Sequence, residues 1–544
     1  MQRSIFSIMT SGFLFAFTVN FANAAGDIPF GSYQYTCSNE KVDINADTLT
    51  ARCEKLGGSP LQQTTLTGLN QCLYSLSGGG DIANIDGNLI CMPDLPLASR
   101  DMVFPMPETT INGWIYNNNQ DAIYGHGWEI WSGLTQNVGK IDGSEVRAFE
   151  TWLTPDLIIY KTDRLEAMAA KDGFAPTVTP DGGLKLGIPK QFHHQNPEAL
   201  TAIIAEIGSK TSSSSSKPDT NVFESVAYNP AAAKHAISNK LFLKSTLNNY
   251  VKQGYTNIPD FPASAITIKP VYKVINTNTL PEDMLYTFPG WPGTPFPAKA
   301  FPESDWNACV YVDVTANGSS NANAIDVGCQ NRGKPQHTFH LDDFIHQKLS
   351  QEDVDYLNQQ LGLKAQAGNY AILVGMHVTT RETKRWTWQT FFWSANADAP
   401  YSPSSASIAA ARLPYQLDSA SKHYAMAIGY QMISPAQPIR GGKNEGSPVI
   451  AYNPHLEAGF DTSTFGVKPR YSDLVVGDDK HWVGKYGVET GCMSCHNLAS
   501  FKPPKGADTR VPGYSTDFYL SISDEIFNGL LRTDFAWSIP DRAK

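Results

Sequence analysis

The sequence predicts an α+β protein: a small N-terminal antiparallel β module, a large body of mixed helices and strands, and a short C-terminal cysteine-bearing segment. Three observations carry this. Residues 31–91 alternate polar and apolar positions in short runs cut by turn residues, as antiparallel strands do. Beyond them, helical and strand patterns follow one another without the regular rhythm of βαβ units. The composition is globular, with 41% hydrophobic, 11% aromatic and 17% charged residues. At roughly 100–200 residues per domain, 544 residues make about two to four domains.

The chain opens "MQRSIFSIMTSGFLFAFTVNFANAA", with a basic start at Arg3, an apolar stretch from Ile5 to Val19 and the small-x-small triplet Ala22-Asn23-Ala24. That is the pattern of a secretory signal peptide over residues 1–24, cleaved near Ala24, so a periplasmic or secreted protein is expected. No later stretch approaches the roughly 18 apolar residues of a membrane helix, so no membrane span is expected. The net charge is −10 and no basic run rises above it, which argues against a nucleic-acid partner.

Export changes how the eight cysteines are read, because oxidising compartments favour disulfides. Six fall into sequence-local pairs: Cys37 with Cys53, Cys72 with Cys91, and Cys309 with Cys329. The spacing permits these pairings, though other connectivities are open. Within residues 25–98 the alternation of "TLTARCEK" and the turns "GGS" and "DGN" predict the β module.

"MPDLPLAS" (92–99) reads as a linker, and the body is expected over 101–470. "QDAIYGHGWEIWSGLT" (120–135) predicts a helix with Ile123, Ile130 and Trp131 near one face. In "AFETWLTPDLIIY" Pro155 is expected to close an element. "TSSSSSK" (211–217) is a low-complexity surface loop. "NPAAAKHAISNKLFL" (229–243) is helix-like, "ITIKPVYKVI" (266–275) and "ACVYVDVT" (308–315) are strands, and five prolines keep 288–306 irregular. Residues 340–361 read as helical, with Ser350 and Asp353 forming a capping box that starts a second helix.

"NYAILVGMHVTTRETKRWTWQTFFWS" (369–394) predicts a hairpin: a buried strand over 370–379, a polar turn, and an alternating strand with Trp386, Trp388, Thr390 and Phe392 on one face. Met376 and His377 then point to opposite faces. His193, His194 and His126 are read as surface or structural.

The C-terminal segment, 471–544, contains "GVETGCMSCHNLASF". Cys492 and Cys495 sit two residues apart and His496 follows. Covalent haem attachment needs two thiols that can each join one of two neighbouring vinyl groups, and then an imidazole that can reach the iron. "CMSCH" meets all three needs. A zinc half-site would want two more ligands at similar spacing, and a redox dithiol a βαβ setting. One covalent haem c is therefore expected, with Cys492 and Cys495 as thioethers and His496 as proximal iron ligand. No Met or His follows His496, so a distal ligand would come from upstream; His377 and Met376 are the candidates, with Trp386 and Trp388 in the pocket.

Two resemblances add to this. "TCSN", "LTARCEK", "LTGLNQC" and "IANIDGNLIC" resemble one repeat of the cyanovirin-N homology family of sugar-binding β proteins. The resemblance implies the Cys37–Cys53 disulfide, likens Cys72–Cys91 to an extra pair of some members, and marks Thr36, Glu54, Asn84 and Asp86 as candidate glycan-binding positions. The family has two repeats and this chain one, so the half-module must complete itself on the following domain or on a second chain. Residues 101–544, through "INGWIYNNNQDAIYGHGWEIW", "FETWLTP", "DWNACVYVDV", "LDDFIH", "GMHVTTRETKRWTWQTFFW" and "GCMSCH", resemble a family of exported bacterial cytochrome c-like proteins. That implies haem and export but no substrate.

The expected function is electron transfer with a redox partner protein. The alternatives are a haem-dependent oxidoreductase of peroxidase or oxygenase type, and a lectin-like protein that brings the body to glycans or cell wall. No phosphate loop, G-x-S-x-G elbow or H-E-x-x-H motif is present.

Overall fold

The computed structural model describes residues 28–29, 31–55, 61–75, 80–85, 87–92, 95, 103–141, 144–170, 222–281, 284–315, 324–327, 336–361, 364–413, 417–437, 446–459, 491–501, 519–524 and 527–544. The expected signal peptide, Asp86, His193, His194, the serine run 211–217 and Cys329 lie outside them.

Most β-branched and aromatic runs of the body form one seven-stranded sheet, while Ala308–Asp313 lies in a separate four-stranded one. Its order is Tyr424–Ile428, Thr387–Trp393, Tyr370–Thr380, Ile266–Ile275 and Val222–Glu224. His346–Lys348 adds to Tyr370–Thr380, and Ala227–Tyr228 to Ile266–Ile275. Every pairing is antiparallel. The Thr387–Trp393 strand is buried at every position, so both faces of the sheet centre are covered.

One face is apolar. The register sets Met376 opposite Phe391, and Phe391 opposite Met426. The helix Gln120–Thr135 covers this row, and it spans the residues its periodicity predicts. Trp131 stacks on Phe391 at 4.3 Å between ring centroids. A Cβ at Gly127 would come within 2.6 Å of the Met426 sulfur, so glycine is what lets helix and sheet approach.

The opposite face carries His377, Thr390 and Ala427 in register, with Gly375, Phe392 and Ala425 beside them. The helix Cys492–His496 packs here, on the Thr387–Trp393 strand. A second core joins Trp386 and Trp388 to Met493, Leu498, Leu531, Phe535, Trp537 and Ile539 of the C-terminal segment.

The N-terminal module is a three-stranded antiparallel sheet, Cys37–Asp43, Thr48–Cys53 and Gln62–Thr67, with a hairpin of Asp81–Ile85 and Asn88–Met92. Disulfides join Cys37 to Cys53 and Cys72 to Cys91. Cys309 is also disulfide-bonded. The N-terminal module packs on the body: Ile82 and Leu89 fill its own small core, while Ala83, Ile90, Met92 and Leu95 enter the main one. Met92 and Leu95 thus anchor the start of the expected linker. Among the described residues no helix is long and apolar enough to cross a membrane.

Three expectations are corrected. Pro155 opens the helix Pro155–Ala170 rather than closing an element, since proline lacks the N–H that a first turn leaves unpaired anyway. The helix expected over 229–243 ends at Ser238: Lys240 takes a left-handed φ of 51°, and a separate helix starts at Lys244. Residues 340–361 hold one α-helix, Gln351–Leu361, started by the reciprocal Ser350–Asp353 bonds (2.8 and 3.2 Å). Before it come a short 3-10 turn, Leu341–Asp343, and then an extended stretch, because Phe344 and Ile345 are buried and the Ile345 carbonyl accepts the Leu373 N–H at 2.8 Å.

Candidate haem-binding site

Gly491 begins the site. A Cβ there would lie 2.7 Å from the Val449 carbonyl oxygen, so only glycine lets the backbone run beside Ala451 as it enters the helix Cys492–His496. The Cys492 thiol donates to the Ala451 carbonyl at 3.3 Å. Cys492 and Cys495 are free thiols in a chain whose other described cysteines are all disulfide-bonded.

Both thiols titrate well above the ordinary cysteine range. Burial is the main cause for each; the Glu457 carboxylate adds to it at Cys492, and the neighbouring Cys492 and Glu457 add to it at Cys495. A dithiol exchanger needs a lowered thiol pKa, so this environment disfavours the redox-dithiol alternative. Among the described residues no group of three His, Cys, Asp or Glu side chains is arranged to hold a metal ion.

His496 is oriented from behind. Its Nδ1 lies 2.8 Å from the Phe535 carbonyl oxygen. A carbonyl only accepts, so Nδ1 carries a proton; in the neutral ring this puts the lone pair on Nε2, the tautomer that iron ligation requires. Phe535 and Asp534 make this contact from consecutive left-handed conformations, at φ 68° and 48°. Non-glycine residues in that region cost about 1–3 kcal/mol each. Asp534 holds the turn: its carboxylate accepts Arg381 Nε at 2.9 Å and the Phe261 N–H at 3.0 Å.

The expected tryptophans gather here. Trp388 packs on His496 at 4.4 Å between ring centroids, and its indole N–H donates to the Arg385 carbonyl at 2.8 Å. Trp386 is buried in the same core at a left-handed φ of 59°; its indole N–H is buried with no partner among the described residues.

The two distal candidates separate. Met376 points into the main core, away from the Cys492–His496 helix, because strand alternation sends it to the opposite face from His377. His377 lies on the helix side, and its Nε2 is 2.8 Å from Glu457 Oε1. The Nδ1 atom of His377 is buried and unpartnered among the described residues. Glu457 ends the helix Pro454–Glu457, whose Asn453 cap bonds Thr390 Oγ1 at 3.0 Å and the Phe391 carbonyl at 2.9 Å. Sequence reasoning passed over Glu457; the Asn-Pro helix start three residues before it was its only signal.

Of the candidate sugar-binding residues, Thr36 and Asn84 lie inside the N-terminal module and Glu54 where the module meets the body. Thr36 and Asn84 are buried and bonded to each other at 3.0 Å. Glu54 pairs with Arg164 and accepts from the Tyr160 hydroxyl, both on the helix Pro155–Ala170. His126 is structural: it bonds the Tyr430 hydroxyl at 2.5 Å and Glu382 at 3.2 Å in the interior.

Comparison with family models, with curated proteins and with solved structures returns no match for this chain. The functional reading therefore rests on this geometry.

Proposed function

We propose that this is an exported, monohaem c-type cytochrome-like protein that works in electron transfer or related redox chemistry. One observation carries the reading: Cys492 and Cys495 stay unpaired, and the imidazole that follows them is held with its proton on Nδ1 by the Phe535 carbonyl. The residues present suit a haem. Each thiol could add its sulfur and its proton across one vinyl group, with nothing leaving, and His496 Nε2 could ligate the iron. When bound, haem supplies a one-electron Fe(II)/Fe(III) couple tuned by axial ligation and burial. The chain's own contribution is to shield that couple with Trp386, Trp388 and Phe535 and to fix the His496 ring. Two disulfides in the N-terminal module fit an oxidising compartment. Of that module's candidate sugar positions, Thr36 and Asn84 are buried and bonded to each other and Glu54 is paired with the body, which favours a structural cap over a lectin.

A second reading, a haem-dependent oxidoreductase, draws on the His377–Glu457 pair beside the thiols, which can hold and pass a proton. Optical spectroscopy of protein made in a host competent for haem c attachment tests both. The proposal expects α and β bands on dithionite reduction and colour that stays with the polypeptide in acid-acetone. A low-spin ferric spectrum unaffected by peroxide and cyanide indicates a carrier; a high-spin spectrum that responds to them indicates an enzyme. A colourless, correctly folded product would end both readings.

A further inference from the structure

We propose that Arg385 and Arg532 form the receiving site for the two carboxylates of the prosthetic group, the haem propionates; this rests on the haem reading above. Sequence inspection singled out neither residue. Arg532 is 8% exposed. It donates from Nη1 to the Ile522 carbonyl (3.3 Å) and from Nη2 to Asn497 Oδ1 (3.4 Å), while its Nε is buried with no partner among the described residues. Its guanidinium lies against Phe527 and Phe535, 4.5 and 5.7 Å from their centroids. Arg385 donates to the Tyr519 hydroxyl (2.7 Å) and the Leu520 carbonyl (3.2 Å).

All these partners are neutral. Among the described residues no carboxylate lies within ion-pair distance of either guanidinium; the acid nearest in sequence to Arg532, Asp534, is engaged by Arg381 and the Phe261 N–H. Arg532 is buried and Arg385 half-buried, and neutral hydrogen-bond partners replace the hydration of a cation only in part, so holding both there is costly. Burial, the larger cause, and then the Arg385 charge pull Arg532 down to about 10, against the weaker opposing pull of the Asp534 and Asp260 carboxylates; burial also lowers Arg385.

Both cations meet the residue that follows the Cys492–His496 helix or its partner: Arg532 reaches Asn497 itself, and Arg385 Nη1 shares the Leu520 carbonyl with Asn497 Nδ2 (3.2 Å each). The Asn497 that meets Arg532 directly follows His496, and the Arg385 carbonyl holds the Trp388 that packs on the His496 ring. A guanidinium is planar, permanently charged and matched to a carboxylate. Two such groups unpaired beside a haem-attachment helix match, in number and charge, the two acids that the group would bring.

The experiment compares haem-loaded full-length protein with its Arg385→Gln, Arg532→Gln and double variants by spectroelectrochemistry and resonance Raman. The charge-keeping variants Arg385→Lys and Arg532→Lys are measured as well, with Lys384→Gln, an exposed cation in the same turn, as control. Losing a cation beside the iron favours the ferric state, so the midpoint potential falls in each Gln variant and further in the double, with shifted propionate bending bands. The Lys variants recover part of the potential, and Lys384→Gln moves neither readout comparably. Unchanged potential and unchanged propionate bands in the Gln variants, or in the Lys variants should the Gln forms not fold, would overturn the proposal while leaving the haem reading intact. Wild-type protein without attached haem would sink both, and is seen before any variant is made.

Discussion

The central sheet presents two faces from the same strands, and they are made of different material. On one, Met376, Phe391 and Met426 meet Trp131 across an interface of carbon and sulfur. On the other, one residue along each strand, His377 and Thr390 meet Asn453, Glu457, Trp388 and the Cys492–His496 helix. The first face supplies stability. The second spends some of it: three left-handed residues (Trp386, Asp534 and Phe535), two unpaired thiols and the unpartnered Arg532 Nε all lie on that side. Strand alternation separates the two by one residue, so chemistry can be kept from the core without a separate domain.

That contrast can be broken deliberately. On the closed face, Trp131→Ala removes a fully buried indole and its stack on Phe391. It should cost about 3–5 kcal/mol in chemical denaturation; a loss under about 1 kcal/mol would mean that this face is not the stabilising one. On the open face, Asp534→Ala takes from Arg381 its buried carboxylate, leaving it the exposed Asp260 at 3.4 Å, and frees the strained turn. A loss of about 1.5–3 kcal/mol is expected there, along with altered His496 ligation in the haem-loaded protein, read from the optical spectrum. Stability lost with an unaltered spectrum would separate the turn from the ligand.

A third test uses pH. In protein lacking haem, Cys492 and Cys495 ionise at higher pH when folded than when unfolded, because burial, aided by Glu457, disfavours the thiolates. Above the ordinary thiol pKa, roughly 8.5, the unfolded chain releases protons that the folded chain keeps. Stability is then fully present below that pH and falls above it, by up to about 1.4 kcal/mol per pH unit per thiol. Glu457→Gln lowers both thiol pKa values and speeds alkylation at a given alkaline pH, though burial still holds them above the free value. Alkylation profiles that coincide would show that Glu457 does not act on the thiols. Least is expected of Asp398→Asn. Asp398 is 86% exposed and paired with Arg412, so thermal melting should register a change within about 1 kcal/mol.

The sequence made the regular parts of both faces legible. The strand Ile266–Ile275, the helix Gln120–Thr135 and the hairpin around "TTRETKR" follow from periodicity, which reports burial directly. His346–Lys348 was misread because its residues fit a helix and only pairing with Tyr370–Thr380 makes them extended. At the site, Cys492, Cys495 and His496 stood out because they are contiguous and chemically distinctive. Their support did not. Phe535 acts through a backbone carbonyl that any residue possesses, and its left-handed turn contains no glycine to mark it. Glu457, Arg385 and Arg532 reach the site through tertiary packing, and an isolated charge in a sequence says nothing about whether its counter-ion is present.

The central proposal is that Cys492 and Cys495 serve as thioether anchors, and intact-mass analysis of the purified protein tests it most directly. Made in a host with the attachment machinery, the full chain should carry the mass of one added haem, and Cys492→Ala/Cys495→Ala protein should carry none. A wild-type mass explained by the polypeptide alone, or by a Cys492–Cys495 disulfide, would contradict it.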